Sequence, residues 1–208
     1  MSVAQQLEHG ISALGMQIAP EIRQKFVDFL DLIEKWNRVH NLTAVRDKKA
    51  MVSSHVLDSL AIAPHLQAAT VLDVGSGAGL PGIPLALVWP KAHVTLLDSN
   101  HKKAAFLRQA TIELGLKNVA VVCERVEAWK STDQYDVVVS RAFSDLAEFL
   151  KLAGRHCTKQ GTLAAMKGVY PHEELTHLPD DFTLKNTVAL TIPGLQAKRH
   201  LLLLARRT

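Results

Sequence analysis

Apolar residues recur every three and four positions from Pro20 to about Arg38, where Ile22, Phe26, Phe29, Leu30, Ile33 and Trp36 share one face. That period predicts an amphipathic helix. Asn41-Leu42-Thr43 breaks it, and Asp47 then stands as N-cap of a second helix through Val52, Val56, Leu57 and Leu60, ending near Pro64. Beyond residue 70 the pattern changes. Short β-branched runs predict strands at 70–74, 93–97, 119–122, 135–140 and 162–167, with two more at 183–190 and 199–205. Helical periods separate them near 84–89, at 99–114 (closed by Gly115) and at 145–156. Alternating strands and helices imply right-handed crossovers and a parallel sheet with helices on both faces. The last two runs leave no room for a crossover helix, so they predict an antiparallel hairpin. The expectation is an α/β fold, with a helical extension over 1–68 packed on a core over 69–208.

Candidate chemistry sits at the first strand. Val71-Leu72-Asp73-Val74 runs directly into Gly75-Ser76-Gly77-Ala78-Gly79-Leu80, and Val94-Thr95-Leu96-Leu97-Asp98 follows as a second strand ending in an acid. Glycines at a strand end permit a tight turn and let backbone amides approach a ligand. An acid at the tip of the neighbouring parallel strand can accept hydrogen bonds from both hydroxyls of a ribose. Gly75, Gly77, Gly79 and Asp98 therefore predict a pocket for a nucleoside-containing cofactor.

Two cofactors compete for that pocket. Gly77-Ala78-Gly79-Leu80-Pro81-Gly82 matches the dinucleotide fingerprint, with Asp98 at about the 20-residue distance that a nicotinamide site uses. Its phase is wrong. The fingerprint should begin where the strand ends, and counted from Gly75 the third glycine is replaced by Leu80. Leu80-Pro81-Gly82-Ile83-Pro84 also delays the helix to near Pro84, so no helix N-terminus faces a pyrophosphate directly after the turn. Asp73 adds an anion that repels phosphate and suits an ammonium. S-adenosylmethionine carries an amino acid and a sulfonium in place of phosphates, and fits better.

Composition removes other classes. Of the 208 residues 48% are apolar and 21% charged, as in a soluble globular domain with a sizeable core. The start lacks the pattern of a signal peptide, and no apolar run approaches a membrane span. Cys123 and Cys157 are far apart and without ligand spacing, which predicts reduced thiols in a cytoplasmic protein. The ten histidines include no helical pair with a supporting carboxylate, so no metal is predicted. Nothing demands more than a monomer. The formal charge is +4, and residues 1–69 balance at seven basic and seven acidic side chains, leaving 17 against 13 in the remainder. Lys102 and Lys103 fall in the first turn of a helix that Ser99 would cap, where the dipole disfavours cations by about 0.3–1 kcal/mol. A nearby polyanion explains that placement, and nucleic acid is the natural one.

A family resemblance runs through nearly the whole chain. Its carriers are Lys35-Trp36-Asn37, Asn41-Leu42-Thr43-Ala44-Val45-Arg46, His55-Val56-Leu57-Asp58-Ser59, the glycine turn with Leu80-Pro81-Gly82-Ile83-Pro84, Leu96-Leu97-Asp98-Ser99, Arg125-Val126-Glu127, Ser140-Arg141-Ala142-Phe143 and Met166-Lys167-Gly168. The chain resembles class I S-adenosylmethionine-dependent methyltransferases, and more narrowly the bacterial 16S ribosomal RNA guanine-N7 methyltransferases once called glucose-inhibited division protein B. The resemblance implies a Rossmann-like, mostly parallel seven-stranded sheet with a C-terminal antiparallel strand. It implies 16S rRNA or the small ribosomal subunit as partner, and N7 of a guanine in the decoding region, position 527 in the usual rRNA numbering, as target. It also implies cofactor contacts at Gly75, Leu80, Val126, Glu127 and Arg141. Where family members commonly carry Lys or Arg before the His-x-x-Asp-Ser segment, this chain has Ser54.

Each implied residue also has a physical reading. Val126 and Glu127 follow the third strand, where an apolar wall and a backbone amide can clasp an adenine; a solvated acid at a helix start is the other reading of Glu127. Arg141 ends the fourth strand at the edge where open α/β sheets hold ligands, and either positions the cofactor or a phosphate or makes a surface ion pair. His55 and Asp58, three apart, can pair with each other. Arg46, Lys49, His55, Lys102, Lys103, Lys167 and Arg199 are the candidates for RNA contact, and Phe143 is a candidate stacking platform or a core side chain. No catalytic residue is assigned. Guanine N7 presents an in-plane lone pair and needs no deprotonation, which agrees with Ser140-Arg141-Ala142-Phe143 standing where amino-group methyltransferases carry Asn or Asp, Pro-Pro and an aromatic. Arg141 cannot serve as a base.

Overall fold

The structure is a computed structural model and describes residues 1–207. Strands β1 (Thr70–Val74), β2 (His93–Leu97), β3 (Val119–Val122), β4 (Tyr135–Ser140), β5 (Cys157–Lys167), β6 (Phe182–Leu190) and β7 (Arg199–Arg206) form one sheet in the order β3-β2-β1-β4-β5-β7-β6. Strands β1 to β5 pair in parallel, while β7 runs antiparallel to both β5 and β6. The chain reverses from β1 to β4 at the centre of the sheet. The carboxyl ends of β1, β2 and β4 therefore open a crevice at one edge.

Strand alternation divides the core between two faces. Val71, Val94, Leu96, Val137 and Val139 pack into one cluster, and Leu72, Val74, Leu97 and Val138 into the other. Helices α1 (Val3–Ala13), α2 (Pro20–His40), α3 (Lys48–Met51), α4 (Asp58–Leu60), α5 (Gly82–Val88) and α6 (His101–Glu113) contribute to the first cluster. Helix α7 (Leu146–Ala153) covers the second, and a short α8 (His172–Thr176) precedes β6. Phe29 of α2 stacks on Phe106 of α6 at 6.4 Å, and both are fully buried. The helical extension thus shares its core with the sheet. One cooperative transition is expected in scanning calorimetry; two resolved transitions would separate residues 1–68 from the rest.

The structure departs from the sequence expectations in several elements. Helix α1 was not anticipated, because its buried face is only Leu7, Gly10 and Ile11; a capping box between Ser2 and Gln5 starts it. The helix expected from Asp47 begins there, with the Asp47 side chain accepting from the Ala50 amide, but Val52–Leu57 is a π turn. Within it the Ser54 hydroxyl donates to the Ala50 carbonyl, and from α4 the Ser59 hydroxyl donates to the His55 carbonyl, a competition with the helix ladder that loosens it. Helix α5 starts at Gly82, before Pro84, and α6 is capped by Asn100 and not Ser99, because the Asn100 side chain accepts from the amides of Lys102 and Lys103. Strand β5 begins at Cys157, with a register shift between Tyr135 and Val137 on β4. Among the described residues no helix is long and apolar enough to cross a membrane.

Candidate functional site

The turn after β1 is built by its own backbone. Gly75 and Ser76 donate to the Leu97 carbonyl at 2.8 and 3.1 Å, which fastens the turn to the end of β2. Gly75 has φ 73°, and a Cβ there would lie 2.6 Å from the Cβ of Ala142, so both conformation and space require glycine. Asp98 is buried beside this turn, accepting at Oδ2 from Gly77 N–H at 2.8 Å and at Oδ1 from Asn100 N–H at 2.8 Å. Each carboxylate oxygen keeps lone pairs for a further donor.

Beneath the turn lies Asp73. It is fully buried; its Oδ2 accepts from Gly82 N–H at 2.9 Å, and its Oδ1 has no partner among the described residues. Burial pushes the carboxyl up to about 7, opposed by the Gly82 hydrogen bond and the charge of Arg141. A carboxylate occupies the start of α5, which is where a dinucleotide pyrophosphate would have to sit.

Ser140 joins β4 to this assembly. Its hydroxyl donates to the Val74 carbonyl at 2.8 Å and accepts from Ala142 N–H at 3.1 Å. The result is a cleft of about 410 Å³ at the carboxyl edge, lined among others by Gly75, Asp98, Lys103, Val126, Glu127 and Phe143. Phe143 is half-buried, with its ring 5.4 Å from that of Phe149. Gly77 takes part through its bond to Asp98, whereas Gly79 and Leu80 are buried below the turn and do not line the cleft.

The family profile GidB, described as rRNA small subunit methyltransferase G, matches residues 22–202. A ribosomal RNA small subunit methyltransferase G of Nitrosospira multiformis is 57% identical, covering 99% of this chain and 99% of its own length. One from Neisseria meningitidis serogroup C (strain FAM18) is 48% identical, with 100% of both covered. The chain belongs to the rRNA small subunit methyltransferase G family. Among solved structures, TrmN from Thermus thermophilus superposes with TM-score 0.56 at 20% identity, covering 72% of this chain and 47% of that one. M. jannaschii TYW2 in complex with AdoMet gives 0.53 at 17%, covering 66% and 69%. The sheet is that of the S-adenosylmethionine-dependent methyltransferases.

Arg141 lies beside the cleft without lining it. Its Nη1 donates to Asp58 Oδ2 and to the Ser54 carbonyl, both at 3.1 Å, while Arg199 Nε donates to Asp58 Oδ1 at 3.1 Å. Asp58 therefore pairs with two arginines and not with His55. Burial raises the Asp58 carboxyl above its ordinary value, and the two guanidiniums pull it back.

His55 is buried, with Nε2 2.9 Å from the Thr43 hydroxyl. Its position leaves it no face toward solvent for RNA. Burial pushes the imidazole down to about 4, with the Ser54 backbone opposing and the Arg141 charge adding to the fall. An unfolded chain takes up this proton near 6.5, so stability is lost as pH falls from 6.5 toward 4. Unfolding in urea should show about 2–3 kcal/mol less stability at pH 4.5 than at pH 7 from this group. His55→Gln should remove that share; an unchanged pH curve in the variant would contradict it.

The remaining candidates divide by what they touch. Lys102 and Lys103 stand in the first turn of α6, Lys103 on the cleft wall and Lys102 exposed. Lys49 is exposed, and Arg46 donates to the Asn37 carbonyl and the Asn41 side chain. Lys167 is held inside, donating to the Phe143 and Ser144 carbonyls and pairing with Glu174 at 2.7 Å.

Arg155 escaped the sequence reading. Its Nη2 donates to the carbonyls of Val126, Glu127 and Trp129 at 2.7, 3.2 and 3.0 Å, fixing the loop that forms one cleft wall. No local motif marks an arginine that acts on a loop 26 to 29 residues earlier. Glu124 and Asn100 on the same walls were findable, because both follow strand ends at the ligand-binding edge. Arg155→Ala should weaken cofactor binding about 10-fold by freeing that loop, read by calorimetric titration. Unaltered binding would show that the wall stands without it.

Proposed function

We propose that this chain transfers a methyl group from S-adenosylmethionine to N7 of a guanine in the decoding region of 16S rRNA, the base numbered 527, acting as a monomer in the cytoplasm. The observation that carries the proposal is the pairing of a buried Asp98 at the rim with an unpartnered Asp73 Oδ1 beneath the same turn. A ribose takes the first, and the second adds negative potential beneath the turn where an ammonium would sit; both groups belong to one donor molecule. The absence of a phosphate-accepting helix start speaks against the nicotinamide alternative.

When bound, S-adenosylmethionine supplies an electrophilic methyl group that the N7 lone pair attacks in line. The chain's part is placement. Gly75 and Gly77 let the turn come close to the donor's amino-acid end, and Asp98 fixes its ribose. Val126 gives the adenine an apolar wall, Glu127 adds its backbone amide there, and Gly79 and Leu80 support the turn from below. Phe143, at the opposite wall, offers the guanine a ring to stack on. Orientation and exclusion of water can together lower such a barrier by about 7–11 kcal/mol. No general base is required for attack by this lone pair. Arg141 positions the loop by tying its root to Asp58. Lys102, Lys103, Lys49 and Arg46 face the RNA backbone; Lys167 and Arg199 hold the surface those phosphates meet.

The test is transfer of labelled methyl from S-adenosylmethionine to small ribosomal subunits from cells lacking this protein, with large subunits as control. Label in small-subunit RNA alone is expected. Label absent, with calorimetry still showing donor binding, would keep the cofactor and remove the substrate.

A further inference from the structure

A second cleft of about 410 Å³ lies between the segment after β5 and the hairpin of β6 and β7. Val169, Tyr170, His172, Lys198, Arg199 and His200 line it, and no carboxylate does. The Tyr170 ring stands 4.5 Å from that of His172 and 5.7 Å from that of His200, at 57° and 78°. Val169 is 76% exposed, so a large apolar side chain is held in water at the mouth. His200 is well anchored. Its backbone pairs with Lys167 and Ala189, and its Nδ1 lies 3.0 Å from the Gly168 carbonyl, which accepts its proton. Lys198 is exposed and has no acidic partner among the described residues. A solvated cationic face, the ordinary reading of Lys198-Arg199-His200, does not explain three rings gathered around a concavity.

We propose that this cleft docks an unpaired nucleotide of the RNA substrate, other than the methylated guanine, with its base stacked on Tyr170 and its phosphate taken by Lys198. Stacking on a ring beside cations is how single strands are held without sequence readout. The placement favours RNA over a protein. The cleft opens at the carboxyl end of β5, the same edge as the cofactor cleft. Arg199, on its wall, shares Asp58 with Arg141, which directly precedes Ala142 and Phe143 of the cofactor cleft. The inference rests on the reading of this chain as an RNA methyltransferase, and its test separates the two.

The experiment measures binding of a labelled single-stranded 12-mer oligoadenylate by fluorescence anisotropy, alongside methylation of small subunits. Tyr170→Ala should weaken oligoadenylate binding and raise KM for small subunits by about 5- to 100-fold, with kcat and donor affinity unchanged. Tyr170→Phe should restore both, since the ring is what matters. Oligoadenylate binding unchanged in Tyr170→Ala overturns the inference, whether or not the unaltered protein methylates. A raised KM with unchanged oligoadenylate binding also overturns it and assigns the cleft to a ribosomal protein. Absent methylation by the unaltered protein counts against the function alone, and the binding result then decides the cleft.

Discussion

Asp58→Ala should destabilise the protein by about 3–5 kcal/mol, the largest loss expected from any single polar substitution here. The Asp58 side chain is 1% exposed and receives Arg141 Nη1 and Arg199 Nε at 3.1 Å each. Removing it leaves two guanidiniums, both largely withdrawn from water, facing one another across an empty site. It also releases three parts of the chain, because Asp58 starts α4, Arg141 follows β4 and Arg199 opens β7. Asp58→Asn keeps the shape but not the charge, and should recover little. Denaturant midpoints measure both variants. A loss below about 1 kcal/mol would mean that water replaces the carboxylate at small cost.

Asp98→Ala should cut affinity for S-adenosylmethionine by about 100-fold, roughly 3 kcal/mol. Two losses combine. In the proposed placement the ribose loses a charge-assisted acceptor, and the amides of Gly77 and Asn100, each 2.8 Å from this carboxylate, lose their partner. The turn loosens where the donor's amino-acid end must sit. Calorimetric titration with the donor reads the effect, and thermal unfolding without donor separates the second loss from the first. Full affinity in a folded Asp98→Ala protein would move the nucleoside to another part of the edge.

How legible the chain was depended on the range of the interaction. Alternation and β-branched runs located all seven strands, because side-chain period in a strand is a local property. The cleft at the carboxyl edge was legible in part for the same reason: Gly75 and Asp98 stand at the ends of β1 and β2, which the topology brings together, whereas Val126 and Glu127 on its wall came from the family resemblance. What failed was set by side chains acting over distance. Arg155 reaches back to the wall after β3, and Lys167 to the loop after β4. His55 and Asp58 looked like a helical pair, but the π turn gave Asp58 to arginines 83 and 141 residues further along. The N-cap at Asn100 escaped for a local reason: the adjacent Ser99 also suits the role, and Asn100 takes it because its side chain accepts from the amides of Lys102 and Lys103. Helix α1 carried too few apolar positions to show its period, and tertiary burial of Leu7 and Ile11 makes it stable.

The central claim is the identity of the methylated atom. The most direct measurement digests small-subunit RNA to nucleosides after reaction with labelled donor and separates them by mass spectrometry. The label should appear as 7-methylguanosine in one stoichiometric site per subunit, and should vanish with Asp98→Ala at limiting donor. Label in any other methylated nucleoside would contradict attack by a guanine N7 lone pair.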